Sequence, residues 1–285
     1  MAHTAGPDGM NAADGITILE HGRATRNYWR DFWGHRELLV FLIWRDIIVR
    51  YKQTVVGTSW LLIRPFLTML VFTFVFGRVA GLDNGGAPYP LIVFTGLLPW
   101  LFFASALSEC SNSLVGNSHL ISKIYFPRLI VPIATVAVSV FDFMIMFALL
   151  FVVMLWYRFL PGWQILTMPL FVLLVIMIAF GMGLWTAALN VRFRDFRHLI
   201  PFLLQLGVYV SPVGYSSLAL PERWRMIFAL NPLVGVLDGF RWSILGGDFT
   251  IYWPAMIVSV LSACVLLLSG VWYFRRTEAT FADVI

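Results

Sequence analysis

Long apolar runs alternate with short polar connections along the whole chain. A helix needs about 20 apolar residues to cross the hydrocarbon core of a bilayer. Six runs are long enough, at 57–79, 89–110, 130–156, 166–190, 199–215 and 251–274. None alternates residue by residue as a membrane strand does, and backbone in lipid must satisfy its own hydrogen bonds. The pattern therefore predicts an all-α integral membrane protein with six transmembrane helices, residues 54–285 forming the membrane domain.

Composition agrees with this class and excludes others. Hydrophobic residues make up 60% and charged residues 12% of the 285 positions, against about 45–50% and 25% in soluble domains. The net charge of +5 lies in the connections that flank the runs. We therefore interpret it as orientation information and expect no nucleic-acid partner.

The basic residues are distributed unequally between the two sides of the predicted membrane domain. Fourteen of the 20 Lys and Arg residues flank one side and five the other, with Arg64 inside a run. The positive-inside rule places the richer side, and both termini, in the cytoplasm. Residues 1–27 are polar and lack the apolar core of a cleavable signal. We expect them to form a disordered cytoplasmic tail.

The segment before the first run is amphipathic. Apolar residues recur at helical spacing from Val40 to Tyr51. The opposite side of the helical wheel carries Arg45, Asp46, Arg50, Lys52 and Gln53. Upstream, Trp29 and Trp33 supply rings that prefer the headgroup level. This segment is predicted to lie on the membrane surface and to contact lipid, and a plain interfacial anchor would explain it equally well.

Motifs for nucleotide binding and catalysis are missing from the sequence. A phosphate-binding P-loop ends in Gly-Lys-Ser/Thr, but Lys52 follows Tyr51 and Lys123 follows Ser122. The sequence also contains no Gly-x-Ser-x-Gly elbow, His-Glu-x-x-His pair or Cys/His cluster. We predict no catalytic residue, no metal site and no cofactor in this chain, and expect any energy to come from a partner.

Three ionisable residues fall inside predicted crossings: Arg64, Glu109 and Asp142. A charge at the bilayer centre costs about 2.5–3.5 kcal/mol on insertion scales. Such residues either line a transport pathway or neutralise one another. The second interpretation pairs Arg64, beside Pro65, with Asp142 or Glu109 across a helix contact.

The connection between the second and third runs contains a short, partly apolar stretch over residues 116–128. Asn117 or Ser118 is a candidate cap for a helix that stops before Pro127. Such an element is suited to docking on a partner, and a membrane-lying turn has the same composition.

Several motifs occur together, in order and with consistent spacing. They are residues 45–54 leading into Gly57, Trp60 and Pro65, then residues 123–128, 189–198, 211–213, 230–233 and 281–285. With them, residues 29–285 resemble permease subunits of type-2 ABC exporters, which move lipid-linked polysaccharides such as O-antigen, capsule or teichoic acid. Arg64 departs from the pattern, since family members often carry an uncharged residue there.

The resemblance implies three contact regions on the cytoplasmic side. Residues 28–53 would form an interface helix with Trp29, Trp33, Arg45, Asp46, Arg50, Tyr51 and Lys52. A coupling element would sit in a cleft of a nucleotide-binding subunit through Ser118, His119, Lys123, Tyr125, Phe126, Pro127 and Arg128. A second contact loop would use Arg192, Arg194, Asp195 and Arg197. The positive-inside rule alone would also explain basic residues in this loop. ATP and Mg would be bound by the partner subunit.

Residues 216–248 are too polar to cross the membrane and too apolar for a free loop. Short re-entrant helices at the outer face fit best, with a break at Asn231 and Pro232. The resemblance implies that they cap the exit of a translocation path, forming an outer-face gate. Ordinary packing on the outer surface is the alternative.

The expected function is ATP-driven export of a lipid-linked polysaccharide, O-antigen first, across the bacterial cytoplasmic membrane. Six helices offer little perimeter for a hydrated polymer, so we expect a homodimer with two ATPase subunits. A type-2 ABC permease for a drug or lipid is the second hypothesis. An ion-coupled transporter or a membrane-embedded glycan enzyme is the third.

Overall fold

The structure is a computed structural model that describes residues 28–52, 55–81, 86–193, 195–219, 221–247 and 249–281. The side chains of residues 55–58, 218 and 280 are not part of this description. The tail predicted for residues 1–27 lies outside these ranges, as do Arg194 and residues 282–285.

The part of the chain that the structure describes is built from helices. The predicted interface segment consists of two of them, α1 (Tyr28–Gly34) and α2 (Arg36–Lys52), which are joined at His35. The longer helices are α3 (Val55–Phe72), α4 (Tyr89–Gly116), α6 (Ile130–Trp156), α7 (Met168–Arg192) and α11 (Trp253–Thr277). The shorter ones are α5 (Ser118–Lys123), α8 (Phe196–Val210), α9 (Glu222–Phe228) and α10 (Pro232–Leu245).

Five helical segments in the described residues are long and apolar enough to cross a membrane. They are Ser59–Val79, Tyr89–Gly116, Ile130–Trp156, Trp163–Arg192 and Trp253–Thr277. Two of them include non-α turns, a π-helix at Thr73–Val79 after α3 and a 3-10 turn at Trp163–Thr167 before α7. These five segments coincide with five of the predicted runs.

The remaining predicted run, 199–215, contains the shorter helix α8. Fifteen residues rise about 22 Å, less than the roughly 30 Å of the hydrocarbon core. The helix stops because Pro212 restricts the preceding residue to extended backbone, and Ser211 adopts φ −99° and ψ 144°. The helix therefore ends before the end that the hydrophobic pattern predicts.

The core is centred on α4, which packs against α6, α7 and α10. Helices α7 and α11 approach closely at two glycines, Gly181 and Gly270. A Cβ atom on Gly181 would lie 2.5 Å from the carbonyl carbon of Leu266. Any larger residue would therefore force these two helices apart.

At one end of the bundle, the ends of α4, α6, α7 and α11 lie close to α2 and α5. Leu114 of α4, Ile130 of α6, Leu184 of α7 and Phe274 of α11 share one apolar cluster there, with Leu42 of α2. We call this the α5 end.

The opposite end, the α10 end, contains the region for which the sequence predicts re-entrant helices. Gly235 of α10 meets Ala255 at the start of α11, and Trp242 contacts Trp163 before α7. Phe240 reaches Phe143, midway along α6, with ring centroids 6.2 Å apart. Helix α10 therefore enters the bundle.

Candidate translocation groove

A groove of about 980 Å³ lies between α3, α4 and α8. Its α3 wall includes residues four positions apart, Trp60, Arg64, Thr68 and Phe72, which share one helix face. The facing walls contribute hydroxyl, amide and aromatic groups: Trp100, Ser105, Ser108, Gln205 and Tyr209.

Besides apolar side chains and a few charged ones, the lining contains neutral hydrogen-bonding groups and exposed rings. Trp60 and Tyr209 are 57% and 69% exposed, so their ring faces are available to a ligand. Aromatic rings present an apolar face, and serine and glutamine side chains both donate and accept hydrogen bonds. This chemistry suits a hydroxyl-rich ligand that is held weakly along its length. The motif search missed the serines and Gln205, although their spacing along apolar helices is a signal that could have found them.

An ion-pair network lies at the α5 end of the groove. Arg50, near the end of α2, contacts the carboxylate of Asp142 on α6 through Nη1. Its Nη2 donates to Glu109 Oε1 on α4 at 2.9 Å. The Tyr51 hydroxyl donates to the second oxygen of Asp142. Arg50 and Tyr51 thus tie the interface helix to two helices of the membrane domain.

The network corrects the sequence-based pairing of Arg64. Among the described residues, Glu109 and Asp142 both form their ion pair with Arg50. Arg64 lines the same groove and is exposed to it. The prediction failed because it considered partners within predicted crossings, whereas α2 brings a charge from outside them. Burial lowers and the two carboxylates raise the pKa of Arg50, with a net increase, so Arg50 is cationic.

The other predicted interface residues divide into internal and exposed groups. Arg45 forms an ion pair with Asp46 at 2.8 Å and donates to Asn117 Oδ1 at 3.0 Å. Asn117 therefore does not cap α5 through its side chain, because that side chain joins α2 to the end of α4. The exposed group is Trp29, Trp33 and Lys52.

The predicted coupling element has an exposed half. Along α5 and the following turn, the exposed residues are His119, Ser122, Lys123, Ile124 and Tyr125, whereas Ser118 is half-buried. Ile121 of the same helix is buried against the α5-end cluster. This half presents a small mixed polar and apolar surface.

The second half of that element is anchored inside the chain. Phe126 is buried in the α5-end cluster, and Pro127 is buried as well. The Arg128 amide donates to Glu278 Oε1 at 2.6 Å, and its guanidinium donates to the Glu278 carbonyl. Burial raises the pKa of Glu278, while bonding to Arg128 lowers it in part. The sequence grouped docking and anchoring residues together, and the structure separates them.

The second predicted loop follows α7 at the α5 end. Arg192 and Arg197 are exposed, and the Arg192 guanidinium lies 5.3 Å from the centroid of the Phe193 ring. Asp195 precedes α8, and its carbonyl accepts hydrogen bonds from the His198 and Leu199 amides. These three residues share the end of the bundle that carries the coupling element.

The break predicted at Asn231 and Pro232 separates α9 from α10. Asn231 Oδ1 accepts from the Leu233 amide at 3.0 Å, capping α10, and Asn231 Nδ2 donates to Ser211 Oγ at 2.9 Å. Pro232 begins the helix, where its missing amide donor is tolerated.

Sequence reasoning missed a buried ion pair on the same helix α10. Arg241, 1% exposed, faces Asp238, 3% exposed, at 3.5 Å. The positive-inside count treated Arg241 as a loop residue. The pair occupies positions i and i+3, a spacing that places both on one helix face.

The described residues contain no group of three or more His, Cys, Asp or Glu side chains able to hold a metal ion.

Comparison with known proteins relates residues 37–245 to a family described as ABC-2 type transporter. The chain is 27% identical over 259 residues to an O-antigen export system permease protein, RfbA, of Myxococcus xanthus, covering 90% of this chain and 98% of that one. It is 21% identical over 243 residues to the polysialic acid transport protein KpsM of Escherichia coli, covering 84% and 93%. An inner membrane transport permease, YadH, of Escherichia coli K12 is 26% identical over 231 residues, covering 72% and 82%.

Proposed function

This chain belongs to the ABC-2 type transporter family and is a multi-pass membrane permease, and we propose that it exports a lipid-linked polysaccharide in an ATP-driven complex. The observation that carries the proposal is the groove, whose exposed rings, hydroxyls and amide lie among membrane-spanning helices. Relatives named for O-antigen and polysialic acid transport support a glycan as cargo, and O-antigen is our first expectation.

We infer six crossings with both termini in the cytoplasm. Helix α7 ends at the α5 end, and α11 begins at the α10 end. The chain between them must therefore cross, and α8 is the apolar helix available within the described part of that stretch. A short helix crosses if irregular backbone completes its path inside protein. The positive-inside rule assigns the α5 end to the cytoplasm.

We propose that two copies of the chain form the pathway. In the most apolar 18-residue stretch of the first segment, Ser59–Val79, only 11% of the residues are buried within the chain, against 78% in that of Tyr89–Gly116. The groove beside it carries Arg64 and Gln205, and such groups are costly next to lipid. A second copy facing α3 and α8 would enclose these groups in a protein-lined path.

We propose that a separate ATPase subunit docks on the exposed half of the coupling element and on the loop containing Arg192 and Arg197. Both surfaces lie at the α5 end. The anchored half, Phe126 to Arg128, would transmit motion to α6 and α11. Nucleotide would act by favouring one arrangement of the helices over another.

The glycan proposal is tested by measuring glycan export in a strain that lacks the gene for this chain and carries groove variants of it instead. Trp60→Ala should lower glycan export roughly tenfold, the factor that about 1.4 kcal/mol of lost ring contact corresponds to. Phe66→Ala is the matched control, because Phe66 is on α3 and exposed but does not line the groove.

Vesicles test the energy source. The chain with its ATPase should move glycan only with ATP, and the chain alone should be inactive. Glycan export that persists in the deletion strain would exclude this cargo and favour the drug or lipid hypothesis. Transport by the chain alone, driven by an ion gradient, would exclude the ATPase partner.

A further inference from the structure

Residues 211–217 run from the end of α8 to the first residue of a second 3-10 turn, Ser217–Ala219, and their backbone is irregular and mostly buried inside the protein. Ser211, Val213 and Ser217 are each at most 1% exposed. We call this segment the strap. Buried carbonyl groups outside a helix need donors from elsewhere, and the cost of leaving them unpaired is highest away from water.

Arg241 supplies donors to one end of the strap. Its Nη2 donates to the carbonyls of Pro212 and Val213 at 2.6 Å each. Its Nε donates to the Ile92 carbonyl of α4 at 3.3 Å. A Cβ atom on Gly96 would clash with this guanidinium and with the Val213 carbonyl. The approach of strap, arginine and α4 therefore depends on the absence of a side chain there.

Asp238 holds the other end of the strap. Its carboxylate accepts hydrogen bonds from the Ser217 hydroxyl and, at 3.4 Å, from the Ser217 amide. Asp238 is one turn before Arg241 and balances its charge. The two charged residues of α10 thus bind both ends of the same seven-residue segment. We call this pair the clasp.

The strap also closes against the end of α3. Gly214 packs on Phe72 and Phe76, and the Phe76 ring is 5.8 Å from that of Tyr215. The Tyr89 hydroxyl donates to the Gly214 carbonyl at 3.1 Å. Phe72 is a lining residue of the groove. The strap therefore lies behind Phe72 at the α10 end of the groove, and the lining itself stops at Phe72 on α3 and Tyr209 on α8.

Helix α3 changes to π-helical geometry at Thr73–Val79, beside these rings. Such turns are rare and are found frequently at functional sites. The two elements that meet here, the π-helical turn and the strap, are thus both departures from the α-helical ladder.

The clasp contributes little to the stability of the fold, because the desolvation of two buried charges offsets their attraction. A buried ion pair commonly gives no more stability than apolar residues of the same size. Arg241 Nη1 faces Asp238 Oδ1 at 3.5 Å and makes no closer hydrogen bond among the described residues. Release of the strap breaks its hydrogen bonds to Asp238 and Arg241 but leaves the ion pair between these two residues intact within α10, so neither charge is left alone.

We propose that Asp238 and Arg241 are positioning residues that hold the strap closed, and that the strap must leave this clasp for cargo to pass the α10 end of the groove. The inference rests on the proposed function for its transport consequence. The strap's attachment to α10 is a property of the chain that can be measured without cargo.

A reversible covalent lock tests whether opening is needed. Ser217→Cys with Asp238→Cys joins the strap to α10 under oxidising conditions, in a background where Cys110 and Cys264 are replaced. We expect export to be lost on oxidation and to return on reduction. The same molecules in two redox states control for folding. Equal export in both states would overturn the proposal, because a purely structural contact loses nothing when locked.

Amide exchange of the strap in nanodiscs tests the clasp without cargo. Asp238→Asn should speed exchange of residues 211–217 roughly tenfold, the factor that corresponds to about 1.4 kcal/mol, and Ser217→Ala should act in the same direction. Ser243→Ala is the matched control, since this buried serine of α10 donates to the Phe240 carbonyl of its own helix. Unchanged exchange in both Asp238→Asn and Ser217→Ala would overturn the role of the clasp. If exchange is faster in these variants but the unmodified protein exports no glycan, the proposed cargo is rejected and the clasp is retained.

Discussion

The ion pairs of Arg50 make a quantitative prediction about how the interface helix is held. The Asp142 side chain is 5% exposed, and that of Glu109 is 47% exposed. Removing one partner of a buried pair costs about 3–5 kcal/mol. Since Arg50 retains Glu109 and part of its hydration, we expect Asp142→Asn to cost about 2–3 kcal/mol. Glu109→Gln removes an exposed pair, worth about 0–1 kcal/mol.

A double-mutant cycle identifies the true partner of Asp142. Arg50→Gln combined with Asp142→Asn should cost less than the sum of the single changes, by about 1–2 kcal/mol, because the second change removes a charge already stranded by the first. Arg64→Gln combined with Asp142→Asn should be additive within about 0.5 kcal/mol. Arg64→Gln thus serves as the matched control, because Arg64 also places a guanidinium in this groove.

Unfolding by SDS titration in mixed micelles measures these free energies. The reasoning would be refuted if Arg64 showed the larger coupling to Asp142, or if Glu109→Gln and Asp142→Asn cost the same. Either result would mean that the charge of Arg50 does not distinguish the buried carboxylate from the exposed one.

Three further changes separate docking, anchoring and packing. Tyr125→Ala, at a residue 56% exposed, should leave stability within about 0.5 kcal/mol and abolish partner-dependent ATP hydrolysis; retained hydrolysis would remove Tyr125 from the docking surface. Glu278→Gln should cost about 1–3 kcal/mol by weakening the bonds to Arg128, with ATPase binding in pull-down retained; lost binding would contradict the anchor role. Gly181→Leu should prevent folding, seen as loss of the monodisperse peak in size-exclusion chromatography, whereas Gly116→Ala, in open space, should keep it.

The hydrophobic pattern alone determined the class of the protein and the place of five candidate crossings. Run 130–156 coincides with α6, for instance, because the length of an apolar segment is a local property that must match the thickness of the hydrocarbon core. The motifs also carried the family. The break at Asn231 and Pro232 was readable because capping and a missing amide donor are local chemistry.

Only the tertiary structure decided which charges meet. Arg50 lies outside the predicted crossings, yet α2 brings it to Asp142, 92 positions along the chain. Arg241 counted as a loop charge in the sequence but is buried against the strap. The hydrophobicity of a segment is the sum of its residues, so it can be predicted from the sequence without knowledge of the fold. Ion pairs and backbone satisfaction depend on distances of a few ångströms between segments that only helix packing brings together.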